Sequence, residues 1–230
     1  MPGESGSRRS KQRYSYSCSQ YAPPEEVLKR IRGLRVGVFV VQKDEPIRML
    51  IRTILSQNTS DEQALKAYRN IENIKVEDLW KREDLEALIK PAGLTRQKAR
   101  AIREVSKRAD EIRSRLSLDD EELRNRLMEI RGIGKKTADV LLINLGRRAF
   151  PIDRHIMRIA QRLCRGRSYD EIRRFVLERI SSPEELHDLH LSLISLGRKY
   201  CRKKPRCDEC PLRDICPSRK YFTRKCEDMQ

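Results

Sequence analysis

The chain has 230 residues, and 51 Lys and Arg against 34 Asp and Glu give it a formal net charge of +17. Its longest apolar run, Val36 to Val41, is far shorter than the ~20 residues of a membrane helix. The polar, basic start MPGESGSRRSKQRYSYS lacks the apolar centre of a secretory signal, so a cytoplasmic protein is expected. The charge points to a polyanionic partner, foremost nucleic acid.

Residues 1–22, rich in Ser, Arg and Gly, predict a flexible basic tail. From Pro23 a helical period takes over, with Val27, Leu28 and Ile31 on one face. VGVFVV (36–41) fits either a short strand or an apolar connector. A stronger helix opens at Asp44-Glu45-Pro46, with Asp44 as its expected cap and Ile47, Leu50, Ile51, Ile54 and Leu55 inward. Helices follow over roughly 60–72, 83–90, 95–116, 119–130, 135–146, 154–165, 169–180 and 184–197. The 95–116 stripe is Ala99, Ile102, Val105, Ala109, Ile112 and Leu116. No segment alternates with a period of two over strand length, so the fold class is all-α.

Between two of these helices lies Ile130-Arg-Gly-Ile-Gly-Lys-Lys-Thr-Ala138. Gly132 and Gly134 allow a tight reversal and a close backbone approach. Ile133 anchors the turn in the core, and the exposed amides of the following helix form an anion site. The pattern is that of a helix-hairpin-helix, a sequence-independent grip on a DNA phosphate. Lys135 and Lys136 fall in the first helical turn, where the positive end of the helix disfavours a further positive charge. That setting suits either a Schiff-base nucleophile or a pair of phosphate-binding lysines. Seventeen residues on, Asp153 is placed as the N-cap of the next helix. It can also act as a carboxylate facing the hairpin lysine across a cleft, moving protons or stabilising charge on a sugar.

Four of the seven cysteines crowd together as Cys201-x5-Cys207-x2-Cys210-x5-Cys216. In an expected intracellular chain this argues against a disulfide framework and for a four-thiolate metal site, either zinc or an iron–sulfur cubane. Arg202, Lys203 and Lys204 make the first loop of the cluster a phosphate-contact candidate.

ILSQNTSD (54–61), AGLTRQKA (92–99), IRGIGKKTA (130–138), IDRHIMR (152–158) and GRKYC with the cysteine loop (197–216) occur in this order. The set resembles the endonuclease III family of helix-hairpin-helix DNA glycosylases over nearly the whole chain. The resemblance implies two helical domains flanking a DNA cleft: a six-helix barrel domain over 43–148 and a cluster domain over 149–218. Residues 23–42 would join the cluster domain, and 219–230 would form a C-terminal tail. It also implies a [4Fe–4S] cluster on Cys201, Cys207, Cys210 and Cys216. Lys136 would be the nucleophile, Asp153 the catalytic carboxylate and Lys135 a phosphate contact. Leu94 would be the wedge entering the duplex, and Asn58 would fill the gap left by the flipped base.

Four departures stand out. Ile130-Arg131 replaces the usual Leu-Pro of the hairpin, Asp139 replaces a common Asn, and Asn58 replaces a glutamine. The first cysteine spacing is five residues instead of six. The implied activity is base-excision repair. The enzyme would remove oxidised pyrimidines from duplex DNA through a lysine Schiff base and nick the strand by β-elimination. A T/G or U/G mismatch glycosylase of the same fold is the alternative, followed by a non-catalytic DNA-binding iron–sulfur protein. A monomer is expected, cytoplasmic and nucleoid-associated if the source is prokaryotic.

Overall fold

The computed structural model describes residues 23–35, 44–164 and 166–221. The expected N-terminal tail, the 36–41 apolar run and most of the expected C-terminal tail lie outside them. Helix is the only regular structure among the described residues. None of these helices is long and apolar enough to cross a membrane.

The helices are α1 (Pro24–Ile31), α2 (Pro46–Ser56), α3 (Asp61–Arg69), α4 (Leu85–Leu88), α5 (Thr95–Lys107), α6 (Ala109–Ser114), α7 (Asp120–Met128), α8 (Lys135–Asn144), α9 (Arg154–Arg162), α10 (Tyr169–Leu177) and α11 (Pro183–Lys199). Most starts carry a side-chain cap that satisfies amides left without a partner within the helix. Ser60, Asp119, Asp153, Ser168 and Ser182 each accept from an amide in the first turn.

The expected cap of α2 is corrected. Glu45, not Asp44, occupies the cap position and accepts from the Arg48 amide at 3.1 Å. Asp44 instead accepts from the Glu45 amide and from the Tyr68 hydroxyl. The single helix expected over 95–116 is broken at Arg108, which has φ −103° and ψ 18°. Val105 and Ala109 are both buried on either side of the break, so the apolar period runs through it undisturbed. The 83–90 helix shrinks to the single turn of α4, and a 3₁₀ helix over Val76–Lys81 precedes it. Its Trp80 amide donates to the Ser106 hydroxyl, which in turn donates to the Val76 carbonyl.

α2 is apolar on most of its circumference, with Ile47, Leu50, Ile51, Ile54 and Leu55 at most 1% exposed. A helix of this kind belongs in the centre of a bundle, and α2 packs against α3, α5, α6 and α8. α11 plays the same part further along the chain, packing against α1, α8 and α9. α8 packs against both central helices and so joins the two groups of helices. Cys164, which follows α9 with φ 58°, is disulfide-bonded. Cys201, Cys207, Cys210 and Cys216 are free thiols.

Candidate active site

The hairpin forms as expected. α7 ends at Met128, a Gly-Ile-Gly turn reverses the chain, and α8 starts at Lys135. Ile133 is 4% exposed and pins the turn to the core. The two glycines serve different ends. Gly132 has φ 98°, and a Cβ there would stand 2.4 Å from the Ala101 Cβ, so its place is demanded by packing against α5. Gly134 has extended backbone, and a Cβ there would meet nothing within 4 Å. Its face is open, beside the free amides of the α8 start.

The two lysines also differ. The Lys135 ammonium is ion-paired to Asp170 of α10 at 2.5 Å, on the surface. Lys136 is half-buried and makes no hydrogen bond or ion pair with any described residue. Asp153 caps α9, its Oδ1 accepting from the His155 and Ile156 amides at 2.8 Å each. The charges of Asp153 and Lys136 both act on the buried His190 of α11. Burial holds His190 well below the ordinary histidine value, so it stands neutral there. The His190 Nδ1 is 3.1 Å from the Pro151 carbonyl, two residues before Asp153, and its ring meets Phe150 edge-on. His155 is a packing residue. Gly197 leaves room for its ring, and Arg158 bonds its Nδ1 at 3.0 Å.

Asn58 and Leu94 share an unusual backbone. Both are non-glycine residues in the left-handed region, at φ 53° and φ 48°. Such residues cost energy and mark places where the surroundings dictate the conformation. Leu94 is 53% exposed, the most exposed large apolar side chain described. Between the loops of Asn58 and Leu94 lies Lys98, only 2% exposed. Its ammonium donates to the Leu55 carbonyl at 2.8 Å and the Ala92 carbonyl at 2.7 Å. Burial lowers its pKa to about 8. Gln57, beside Asn58, donates from its carboxamide to the Thr137 hydroxyl at 3.1 Å, tying this loop to the residue after Lys136. Neither Lys98 nor Gln57 stood out in the sequence. The signal for Lys98 was its place on the buried side of α5, in step with Ile102 and Val105.

The cysteine loop hangs on α9. Arg158 donates to the Cys201 carbonyl at 2.7 Å. Arg162 donates to the Cys201 Sγ at 3.1 Å and to the Arg202 carbonyl at 2.8 Å. All four thiols are partly buried and lie within electrostatic range of one another, which fits a shared four-thiolate group. Among the described residues no three His, Cys, Asp or Glu side chains form a single-ion site. Arg202, Lys203 and Lys204 are exposed on the loop.

The fold and this arrangement define a helix-hairpin-helix protein with a cysteine-rich C-terminal loop. Residues 51–182 match the HhH-GPD superfamily of base excision DNA repair proteins, and residues 202–216 match the iron–sulfur binding domain of endonuclease III. The chain belongs to the endonuclease III family of base-excision repair glycosylases, and its cofactor is a [4Fe–4S] cluster. It is 41% identical over 184 residues to the endonuclease III of Sulfolobus acidocaldarius, covering 75% of this chain and 81% of the relative. A thymine-DNA glycosylase of Aeropyrum pernix is 27% identical over 190 residues, covering 75% of this chain and 82% of the relative. Among solved structures, a trapped endonuclease III–DNA covalent intermediate superimposes with a TM-score of 0.71 at 28% identity. That match covers 87% of this chain and 95% of the other.

Proposed function

We propose that the protein is a bifunctional DNA glycosylase and abasic-site lyase that removes oxidised pyrimidines from duplex DNA. The observation that carries this reading is the state of Lys136. It is a half-buried lysine at a helix start with no ion pair among the described residues, its charge and that of Asp153 both act on His190, and its neighbour Lys135 is ion-paired to Asp170.

The open Gly134 face and the amides of α8 hold a DNA phosphate, with the basic surface adding affinity that falls with salt. The target nucleotide leaves the stack, at a cost of a few kcal/mol. Leu94 and Asn58 occupy the space it vacates. Lys136 Nζ forms a bond to the sugar C1′ as the bond from C1′ to the base breaks. The electron pair leaves with the base, which takes up a proton. Asp153 stabilises the positive charge on the sugar and accepts the proton lost from Nζ. Ring opening gives the Schiff base. Loss of a proton from C2′ expels the 3′ phosphate, and hydrolysis returns free Lys136. Cys201, Cys207, Cys210 and Cys216 would hold the [4Fe–4S] cluster through their thiolates, keeping the basic loop of Arg202, Lys203 and Lys204 against the DNA. The cluster contributes structure and electrostatics, and this chemistry needs no redox step.

The test is Lys136→Ala. Borohydride trapping on abasic duplex DNA is expected to vanish while DNA affinity stays within threefold. Trapping at the wild-type level in this variant would remove Lys136 from the mechanism. A mismatch glycosylase is the second reading. The shorter Asn58 in the gap-filling position and the likeness to the Aeropyrum pernix thymine-DNA glycosylase favour it.

A further inference from the structure

Asp139 lies one turn after Lys136 on α8, is 0% exposed, and stands where the resembled family commonly has asparagine. Its carboxylate accepts three hydrogen bonds. Arg124 Nε of α7 donates to Oδ1 at 2.8 Å, and Arg173 Nε of α10 donates to the same oxygen at 3.2 Å. The Tyr169 hydroxyl donates to Oδ2 at 2.7 Å. A buried carboxylate is stable only with such a set of partners. The Tyr169 oxygen makes a second bond, accepting from the Ile152 amide at 3.3 Å. Burial and the Asp139 charge raise the Tyr169 pKa, so the phenol keeps the proton it donates.

One phenol oxygen therefore joins the helix that carries Lys136 to the residue before Asp153. Other hydrogen bonds of the 151–153 segment among the described residues lead elsewhere: Pro151 to His190 of α11, and the Asp153 carboxylate to the start of its own helix. Tyr169 links this segment to α8 through its hydrogen bonds. The two ends it ties together carry the proposed reacting pair.

Resting on the assignment of Lys136 and Asp153 above, we propose that Tyr169 is a positioning residue. Its hydroxyl, anchored on the buried Asp139, sets the spacing between the Lys136 amine and the Asp153 carboxylate. Small displacements at a reacting pair have large kinetic effects, with ~1 Å costing on the order of 100-fold in rate.

The experiment compares wild type with Tyr169→Phe on a duplex with one lesion, under single-turnover conditions. Base release is read by hot-alkali cleavage, and Schiff-base formation by borohydride trapping. Affinity for a duplex carrying a reduced abasic-site analogue is measured in parallel, and rates are normalised to the fraction of enzyme that reacts at completion. Tyr169→Phe is expected to slow base release about 10- to 100-fold with affinity within twofold. Asp139→Asn, which keeps an oxygen for the phenol but loses the charge that gathers both arginines, is the second variant. Its expected loss is smaller, about threefold to tenfold, again without loss of affinity. Wild-type rates in both variants would overturn the proposal. So would a rate loss matched by an equal loss of affinity or of reactive fraction. If wild type releases base but is never trapped, the lyase reading fails, and the positioning role is still decided by base release.

Discussion

The Lys98 ammonium ends 2.8 Å from the Leu55 carbonyl and 2.7 Å from the Ala92 carbonyl, joining the end of α2 to the turn before α5. Asn58 follows the first of these carbonyls by three residues, and Leu94 follows the second by two. Lys98 thus holds apart, at a fixed distance, the two loops proposed to enter the duplex.

Lys98→Met keeps the length of the side chain and leaves both buried carbonyls without their donor. A stability loss of about 2 kcal/mol is expected, together with slower base release. The pH dependence has a definite sign. The folded pKa of about 8 is below the ordinary lysine value, so between about 8 and 10.4 the unfolded chain binds a proton that the folded chain does not. Stability from this group is therefore flat below pH 8 and rises above it. In urea unfolding, the gap between wild type and Lys98→Met should widen from pH 8 to pH 10. A constant gap would show that Lys98 titrates as an ordinary lysine.

The two hairpin glycines should separate fold from binding. Gly132→Ala places a methyl group against Ala101 at a positive φ and is expected to cost about 3 kcal/mol. Gly134→Ala meets nothing in the protein, so its melting temperature should stay within about 2 °C. If a phosphate seats on that face, the same methyl group weakens DNA binding at least tenfold. Unchanged affinity in Gly134→Ala would move the phosphate contact elsewhere.

Asp153→Asn keeps an oxygen that accepts from the His155 and Ile156 amides, so the α9 cap survives. Turnover should still fall about 100-fold, because the proposed reaction uses the charge. Asp153→Ala adds the loss of the cap, about 1 kcal/mol of stability. Near-normal turnover in Asp153→Asn would leave the residue as a cap alone.

Acid should weaken the core behind the site. His190 is buried and its pKa is lowered, so below about 6.5 the unfolded chain gains a proton that folded His190 refuses. Its contribution is full above that pH and declines as the pH falls. The groups acting on it are Asp153, which favours its charge, and His187 and Lys136, which oppose it. His190→Asn retains a donor for the Pro151 carbonyl and does not titrate. From pH 7 to pH 5 wild type should lose more stability than this variant, and equal losses would place the acid sensitivity elsewhere.

The parts of the site that were legible are those built from contiguous sequence. The Gly132-Ile133-Gly134 turn and the Asp153 cap follow from local chemistry, and both stand in the structure. The break at Arg108 escaped because Val105 and Ala109 keep the stripe in phase across it. By composition Asp44 is the favoured cap, and only the backbone turn selects Glu45. The links through Lys98 and Asp139 join residues 43 and 30 positions apart. No local pattern announces such pairs. A lysine on an apolar helix face and an aspartate in a hairpin helix are, in sequence, only residues that break a pattern.

The most direct test of the account is borohydride trapping of wild-type protein on duplexes carrying thymine glycol, an abasic site or a T·G mismatch. A covalent adduct is predicted with thymine glycol and with the abasic site, and peptide mapping should place it on Lys136. An adduct with the abasic site alone would keep the lyase step and contradict the oxidised-pyrimidine specificity. Base release from T·G in preference to thymine glycol would favour the mismatch reading. No adduct with any duplex would contradict the lysine mechanism itself.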